Sequence, residues 1–225
     1  LKAHELREIC DDSPLVTVAI HRLLLAILYR ALQGPADIRQ WKEWYRKGTL
    51  VSQTSVPAYL NQWYERFFLF DETHPFMQVA GLDLNEYKSD GELKKDKSDG
   101  LLRLAREAPD KGGRILFDHR VGTERPSYEP RQIVKMILSA LSFSGTGIAS
   151  PGKLHDKLIA PTPCQFAPCV EGFVMWNQGE NLFDTLLFNL IPRNYGQNDK
   201  PAWEDDSLFD AVVQSWKKPI HFAGH

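Results

Sequence analysis

One stretch of the sequence, residues 161–190, constrains the fold most, because its second half can only lie inside a packed core. Asn181 is the predicted N-cap of a helix and Asp184 lies at its N3 position, as in a capping box. Over residues 182–191 this helix is apolar on nearly every face, which is typical of a core helix. Residues 172–177 before it are apolar and aromatic and predict a short buried strand. The proline-rich beginning of the stretch predicts a rigidly presented loop, a common location for recognition chemistry.

The N-terminal third of the chain predicts helices. A long apolar helix with Ser13 as its N-cap is expected to stop at Gly34. Its length approaches a membrane span, but His21 and the arginine after it lie in its middle and favour a core helix with a satisfied histidine. A second helix is expected over residues 37–47, and a third, with an aromatic stripe, begins near residue 55.

The rest of the chain predicts loops and a few further elements. Residues 81–100 mix both charge signs with few apolar residues and predict a mobile surface loop. Residues 142–169 are rich in Gly, Ser and Pro and predict a second, long loop. A helix over residues 128–143 is expected to turn four apolar side chains inward: Ile133, Ile137, Leu138 and Leu141. A short helix over residues 101–108, a small strand over residues 114–117 and a final helix over residues 207–216 are also expected.

These patterns predict an α/β (α+β) fold that is mainly helical with short strands. We expect one domain over residues 1–225, and an incomplete one, since the sequence begins without Met and stops directly after an apolar stretch.

Charge and cysteine content limit the classes of function. The formal net charge is −2, so any nucleic-acid contact has to come from a local basic patch or from partner proteins that supply part of the positive charge. The three cysteines are irregularly spaced and no secretory leader is visible, which predicts a reduced, cytoplasmic setting and no membrane partner.

No motif predicts catalysis or a metal. Cys164 and Cys169, with His155 upstream, are the only metal-like arrangement, and zinc sites normally use four ligands in tighter pairs. The sequence has no phosphate-binding glycine loop, nucleophile elbow or HExxH motif. We therefore expect no catalytic residue, no metal and no cofactor, although a thiol or metal enzyme that uses these cysteines is a further hypothesis.

A basic stretch with an aromatic residue is the better candidate for function. Phe117 lies beside His119 and Arg120, and Arg125 follows in the same polar loop. An aromatic ring with adjacent cations can stack on a base and neutralise phosphates. Two further lysines, Lys153 and Lys157, could extend this basic edge, while a solvated surface of mixed charge is the alternative interpretation.

Several segments, in order, resemble one family. They are DSPLVTVAIHRLLLAILYRAL, FLFDETHPFMQV, ILFDHR, and GENLFDTLLFNLIP followed by PAWE. Together they resemble the N-terminal domain of CasA, the large subunit of the type I-E CRISPR surveillance complex Cascade. The resemblance covers residues 9–204, and the family's C-terminal helical bundle has no counterpart in this sequence.

The resemblance implies a non-catalytic subunit of an RNA-guided antiviral ribonucleoprotein. Its implied partners are the guide RNA (crRNA) at its 5′ end, double-stranded target DNA, other Cascade subunits and a helicase-nuclease. The implied role is recognition of the protospacer-adjacent motif (PAM) and of the duplex beside it, where base pairing reads the sequence and protein reads only the flanking motif. The alternative is a purely architectural subunit that docks partners without touching DNA.

The resemblance also implies where nucleic acid binds. Residues 117–130 correspond to the family's first recognition loop, with Phe117 at the aromatic position. Residues 167–172 correspond to a glycine-containing loop that approaches the minor groove, where a small residue lets backbone groups come close to base edges. This chain departs from the family there, because the tip lacks an Arg-Gly or Gly-Gly step. The expected nucleic-acid-binding residues are Phe117, His119, Arg120, Arg125, Lys153, Lys157, Ala167, Pro168, Cys169, Val170 and Gly172.

Overall fold

The computed structural model describes residues 2–49, 54–83, 85–87, 92–95, 104, 127–145, 147–149, 152–154, 157–159, 162–164, 166–192 and 200–205. The described α-helices are α1 (Pro14–Leu32), α2 (Ile38–Lys47), α3 (Ser55–Gln62), α4 (Pro130–Phe143) and α5 (Leu182–Asn189). Short 3₁₀ helices cover Lys2–His4, Tyr64–Phe67 and Ala202–Glu204. The described strands are β1 (Leu82–Asp83), β2 (Glu86–Tyr87), β3 (Leu93–Lys95), β4 (Gly147–Ala149), β5 (Gly152–Leu154), β6 (Lys157–Ile159) and β7 (Thr162–Cys164). The predicted fold class, mainly helical with short strands, is confirmed.

The described elements belong to two compact units. The first contains α1, α2, α3 and α5, from residues 1–67 and 172–205. The second contains α4 and the strands, from residues 68–171.

In the first unit the helix boundaries follow their capping residues. The Ser13 side chain accepts a hydrogen bond from the Val16 amide at 3.4 Å, and the Asp37 side chain accepts one from the Gln40 amide at 2.8 Å. The predicted start of α1 and the predicted extent of the second helix are therefore confirmed. Helix α1 ends at Leu32, just before the predicted stop at Gly34, and Gln33 adopts the left-handed conformation at the C-cap.

Helix α5 is the centre of the first unit, as its sequence predicts. Asn181 caps it by accepting a hydrogen bond from the Asp184 amide at 3.0 Å. Phe183 and Leu187 of this helix, and Leu190 directly after it, form a buried cluster with Trp44 of α2, and apolar residues of α1 pack against that cluster. Burial of each such side chain contributes roughly 1.5–3 kcal/mol, so this cluster holds α1, α2 and α5 together.

A buried polar network ties residues 200–205 to the helices of the first unit. The Arg30 guanidinium of α1 makes a two-point ion pair with the Glu204 carboxylate, whose side chain is almost fully buried. The Tyr59 hydroxyl of α3 donates to the same carboxylate and accepts from the Trp203 indole at 2.7 Å. Burial, together with the bond to Glu204, raises the pKa of Tyr59 above its usual value. The network explains why a Trp-Glu step follows the core helix in this sequence.

Helix α1 has the length and composition of a membrane-spanning helix. In the first unit it packs against α3 and α5, and near its C-terminal end Arg30 forms the ion pair described above. His21 is buried, with Nδ1 2.8 Å from the Thr17 carbonyl oxygen, so the prediction of a satisfied helix histidine is confirmed.

In the second unit, α4 begins with a capping box between Glu129 and Gln132. Ile133, Ile137 and Leu138 are buried as predicted. The same expectation for Leu141 is wrong, since that side chain is about half exposed. Near this end of α4 the small residues Ala140 and Ser142 are buried instead.

The HPFMQ phrase lies in a tight turn of the second unit. Asp71 Oδ1 accepts hydrogen bonds from the amides of His74 and Thr73 and from the Thr73 hydroxyl, and these bonds lower the pKa of Asp71. The Phe76 amide donates to the Phe68 carbonyl at 2.8 Å, and the Phe76 side chain is buried. Folding within the described chain therefore accounts for the turn at Asp71 and for the burial of Phe76.

Strand content is higher than the sequence predicts. Residues 142–169, expected as one long loop, contain β4–β7, in which β4 pairs antiparallel with β7 and β5 pairs antiparallel with β6. Strand β1, from the segment expected as a charged loop, adds to the β5–β6 pair. Strands of two or three residues are too short to produce a recognisable alternation, so the residue pattern alone gives no signal for them.

Two other expectations have different outcomes. The predicted buried strand at residues 172–177 is wrong, because this segment has no regular secondary structure and its side chains are exposed. The short helix at 101–108, the strand at 114–117 and the final helix at 207–216 lie outside the described elements.

Candidate nucleic-acid interface

The loop at residues 166–171 is fixed by backbone hydrogen bonds to the end of α4. The Ala167 amide donates to the Ser144 carbonyl at 2.8 Å, and the Cys169 amide donates to the Ser142 carbonyl at 3.0 Å. These carbonyls belong to the last turn of α4 and the residue after it, where an α-helix leaves acceptors without intrahelical partners. The sequence-based expectation of a rigidly held loop therefore has a structural basis at this end of α4.

The loop also closes on itself in a tight turn. The Val170 amide donates to the Ala167 carbonyl at 3.1 Å, with Pro168 at the second position of the turn, where proline is favoured. Three backbone amides of residues 167–170 are thus used inside the protein, and Pro168 has none. Among the amides of residues 167–172, only those of Glu171 and Gly172 have no hydrogen-bond acceptor within the described chain.

The predicted loop residues differ in exposure, with Ala167 and Val170 half-buried. Pro168 and Gly172 are exposed, as is Glu171 between them in sequence, whereas Cys169 is buried. The Cys169 side chain therefore anchors the loop in this structure and is not presented at its surface. Gly172 has an ordinary backbone conformation, and a Cβ atom added there would meet no atom within 4 Å. Folding within the described chain gives no reason for a glycine at this position.

The two lysines predicted to share a basic edge lie on adjacent strands but at different register positions. Lys153 of β5 pairs with Asp83 of β1 on one side and with Leu158 of β6 on the other. Lys157 of β6 pairs instead with Leu154 of β5. Residues directly opposite each other on neighbouring strands share a face of the sheet, so Lys153 and Asp83 lie on the same face. A carboxylate on the same face makes this face less positive for a phosphate than a lysine alone would.

The remaining predicted positions Phe117, His119, Arg120 and Arg125 lie outside the described residues, as does His155. In the described part of the chain, no cluster of three or more His, Cys, Asp or Glu side chains has the arrangement of a metal site.

Sequence reasoning missed one surface feature, the exposed apolar segment at residues 173–176. Its apolar residues predict a buried strand, and nothing in the residue pattern signals exposure. A run of large apolar residues looks the same in sequence whether or not a partner covers it.

Comparison with known proteins identifies the family. The family model described as CRISPR-associated protein Cse1 matches residues 1–221. The CRISPR-associated protein CasA/Cse1 of Thermus thermophilus is 33% identical over 207 residues, which are 91% of this chain and 37% of that protein. The chain thus spans little more than a third of the length of this curated relative.

Two solved structures have the same fold. Thermobifida fusca Cse1 superimposes with a TM-score of 0.68 at 27% identity, covering 90% of this chain and 37% of that one. A chain of a structure titled CRISPR RNA-guided surveillance complex, pre-nicking, superimposes with a TM-score of 0.67 at 20% identity, over 91% of this chain and 40% of that one. The family match spans nearly the whole sequence, and the chain therefore belongs to the CRISPR-associated Cse1 (CasA) family.

Proposed function

We propose that this chain is part of a non-catalytic subunit of a type I-E CRISPR surveillance complex, in which it binds near the 5′ end of the guide RNA and contacts duplex DNA beside the PAM. The observation that carries the proposal is the family match over residues 1–221. In RNA-guided effectors, base pairing with the guide reads the target, so the protein has to read only a short flanking motif. Cleavage would belong to a separate helicase-nuclease that the complex recruits.

The anchored loop supports a minor-groove contact through its last two residues. The minor groove presents acceptor atoms on every base pair, and a protein needs free donors to bind them. In residues 167–172 these donors are the amides of Glu171 and Gly172, next to a turn that is fixed to α4. The open surroundings of Gly172 leave space for a base edge to approach its backbone.

Glu171 limits how tightly this loop can hold DNA. Its carboxylate is exposed beside the two available amides, and a carboxylate near phosphates is repelled by them. We therefore expect the loop to read DNA less closely than a loop whose tip carries arginine or glycine.

The test of the loop is Gly172→Ala in the assembled complex, with Gly145→Ala as the matched control. Both glycines are exposed, and a Cβ atom at either one meets nothing within 4 Å, so both variants should fold normally. Gly172→Ala should weaken target-DNA binding by about tenfold, the value of one lost hydrogen bond at a base edge, while Gly145→Ala should not. Equal affinity and equal PAM discrimination in the two variants would remove the loop from DNA recognition.

The test of the basic stretch is Phe117→Ala combined with Arg120→Ala in the same complex. Loss of a stacked ring and a phosphate contact should lower DNA affinity and reduce its dependence on salt concentration. Crosslinking of PAM-proximal DNA distinguishes recognition from a purely architectural role. The architectural alternative gives no adduct in residues 117–130 or 167–172.

A further inference from the structure

The exposed segment at residues 173–176 has the side-chain alternation of a β-strand without a partner. Phe173 and Met175 are 99% and 87% exposed, whereas Val174 and Trp176 are 40% and 41% exposed. This period of two is that of an extended chain whose successive side chains point to opposite sides. One side is thus partly covered by the protein, and the other presents Phe173 and Met175 to solvent.

The backbone of this segment is also available for pairing. No backbone group of residues 173–176 forms a hydrogen bond with another backbone group in the described chain. An edge of this kind, with free N–H and C=O groups, is a template for an added strand.

The segment is nevertheless held in place. The Trp176 ring stacks on buried His21 of α1, with ring centroids 5.7 Å apart. The Asn189 side chain of α5 accepts from the Asn177 amide at 2.9 Å and donates to its carbonyl at 2.7 Å. The Gln178 side chain donates to the Glu8 carboxylate at 2.9 Å. A binding edge that is already ordered loses less conformational entropy when a partner arrives.

The chemistry of the segment fits polypeptide and not nucleic acid. Residues 172–179 carry no charge, and exposed carboxylates flank them at Glu171 and Glu180. A phosphate backbone would be repelled by these carboxylates, whereas an apolar strand would bury Phe173 and Met175.

The relatives have enough additional chain to supply such a strand. The aligned Cse1 relatives carry well over half of their length outside the part that this chain matches. We propose that residues 173–176 form an edge that accepts an extended, apolar strand from this other part of a Cse1-family polypeptide. Pairing would cover Phe173 and Met175 and fix the residues that directly follow the 166–171 loop in sequence. The inference rests on family membership and not on the DNA contact, so either can fail while the other stands.

The test uses short overlapping peptides that tile the unmatched part of the Thermus thermophilus relative, together with this chain. One peptide with alternating apolar residues should bind and slow amide hydrogen exchange at residues 173–176 by at least about tenfold. Phe173→Ser combined with Met175→Ser should weaken that binding by more than about tenfold, because two large apolar contacts are lost. Phe70→Ser, which changes an exposed phenylalanine of the second unit, is the matched control and should bind normally.

Folding of all variants is checked by circular dichroism on the free chain, where serine at these exposed positions should be tolerated. A second experiment uses a fusion protein in which this chain replaces the matched region of the Thermus relative. Amide hydrogen exchange at residues 173–176 should be slowed in this single polypeptide as well. The proposal is overturned if no peptide slows exchange at 173–176 and the fused protein leaves these amides unprotected. It is equally overturned if protection arises only from self-association at high concentration of this chain, or only on addition of duplex DNA.

Discussion

Helix α5 and the segment at residues 173–176 are neighbours in sequence and similarly apolar, yet one is the core of the first unit and the other is exposed. The helix satisfies its backbone hydrogen bonds internally, so any apolar surface can cover it. An extended segment needs a partner strand for its backbone as well as a cover for its side chains. Apolar composition therefore predicts burial within this chain only where local structure also satisfies the backbone.

The variant with the largest expected effect on stability is Leu187→Ala, which truncates a buried side chain of α5. Leu187 is almost completely buried in the cluster with Trp44, so truncation leaves a cavity and should lower the free energy of unfolding by about 2–5 kcal/mol. Urea denaturation of the purified chain measures the change. A loss below about 1 kcal/mol would mean that the cluster is loosely packed and that α5 is not the core element described above.

The next largest effect is expected from Gly179→Ala, at the junction between the segment and the helix. A Cβ atom there would lie 2.9 Å from the backbone of Asp184 and Thr185, so the start of α5 has to shift. We expect a destabilisation of roughly 1–3 kcal/mol, typical of overpacking. Gly172→Ala, seven residues earlier in open surroundings, is its control and should leave the denaturation midpoint unchanged.

Asn189→Ala examines the connection from α5 to the segment. The variant leaves the Asn177 amide and carbonyl without their partner, and both can turn to water because Asn177 is exposed. The unfolding free energy should therefore fall by only about 1 kcal/mol, while amide exchange at residue 177 accelerates. Unchanged exchange at this amide would show that the Asn189 side chain does not hold the segment in place.

The smallest effect is expected from Phe173→Ala in the isolated chain. The side chain is fully exposed, so its removal should change the unfolding free energy by no more than about 0.5 kcal/mol. The comparison with Leu187→Ala is direct, since both variants delete a large apolar side chain. A strong destabilisation by Phe173→Ala would contradict the exposed placement and the binding edge inferred from it.

Helix positions could largely be predicted from the sequence, for identifiable reasons. Three helices begin after a capping residue whose side chain accepts a hydrogen bond from a backbone amide about one turn later: Ser13, Asp37 and Asn181. Because this interaction is local, the sequence alone reveals it. The strands β4–β7 could not be predicted, because each has only three residues and a stretch this short shows no recognisable alternation. The candidate loop lies between these cases: its prolines indicated rigidity, but the bonds from Ala167 and Cys169 to α4 depend on tertiary packing.

The sequence by itself determined the starts of α1, α2 and α5, the core character of α5 and the family to which the chain belongs. Each of these depends on residues that act on near neighbours or recur in order along the chain. Only the tertiary structure decided which of the backbone amides of residues 167–172 remain available, that Cys169 is buried, and that residues 173–176 are exposed. Those properties depend on which groups from distant parts of the chain meet, and a hydrogen bond or a buried surface exists only when both partners are present.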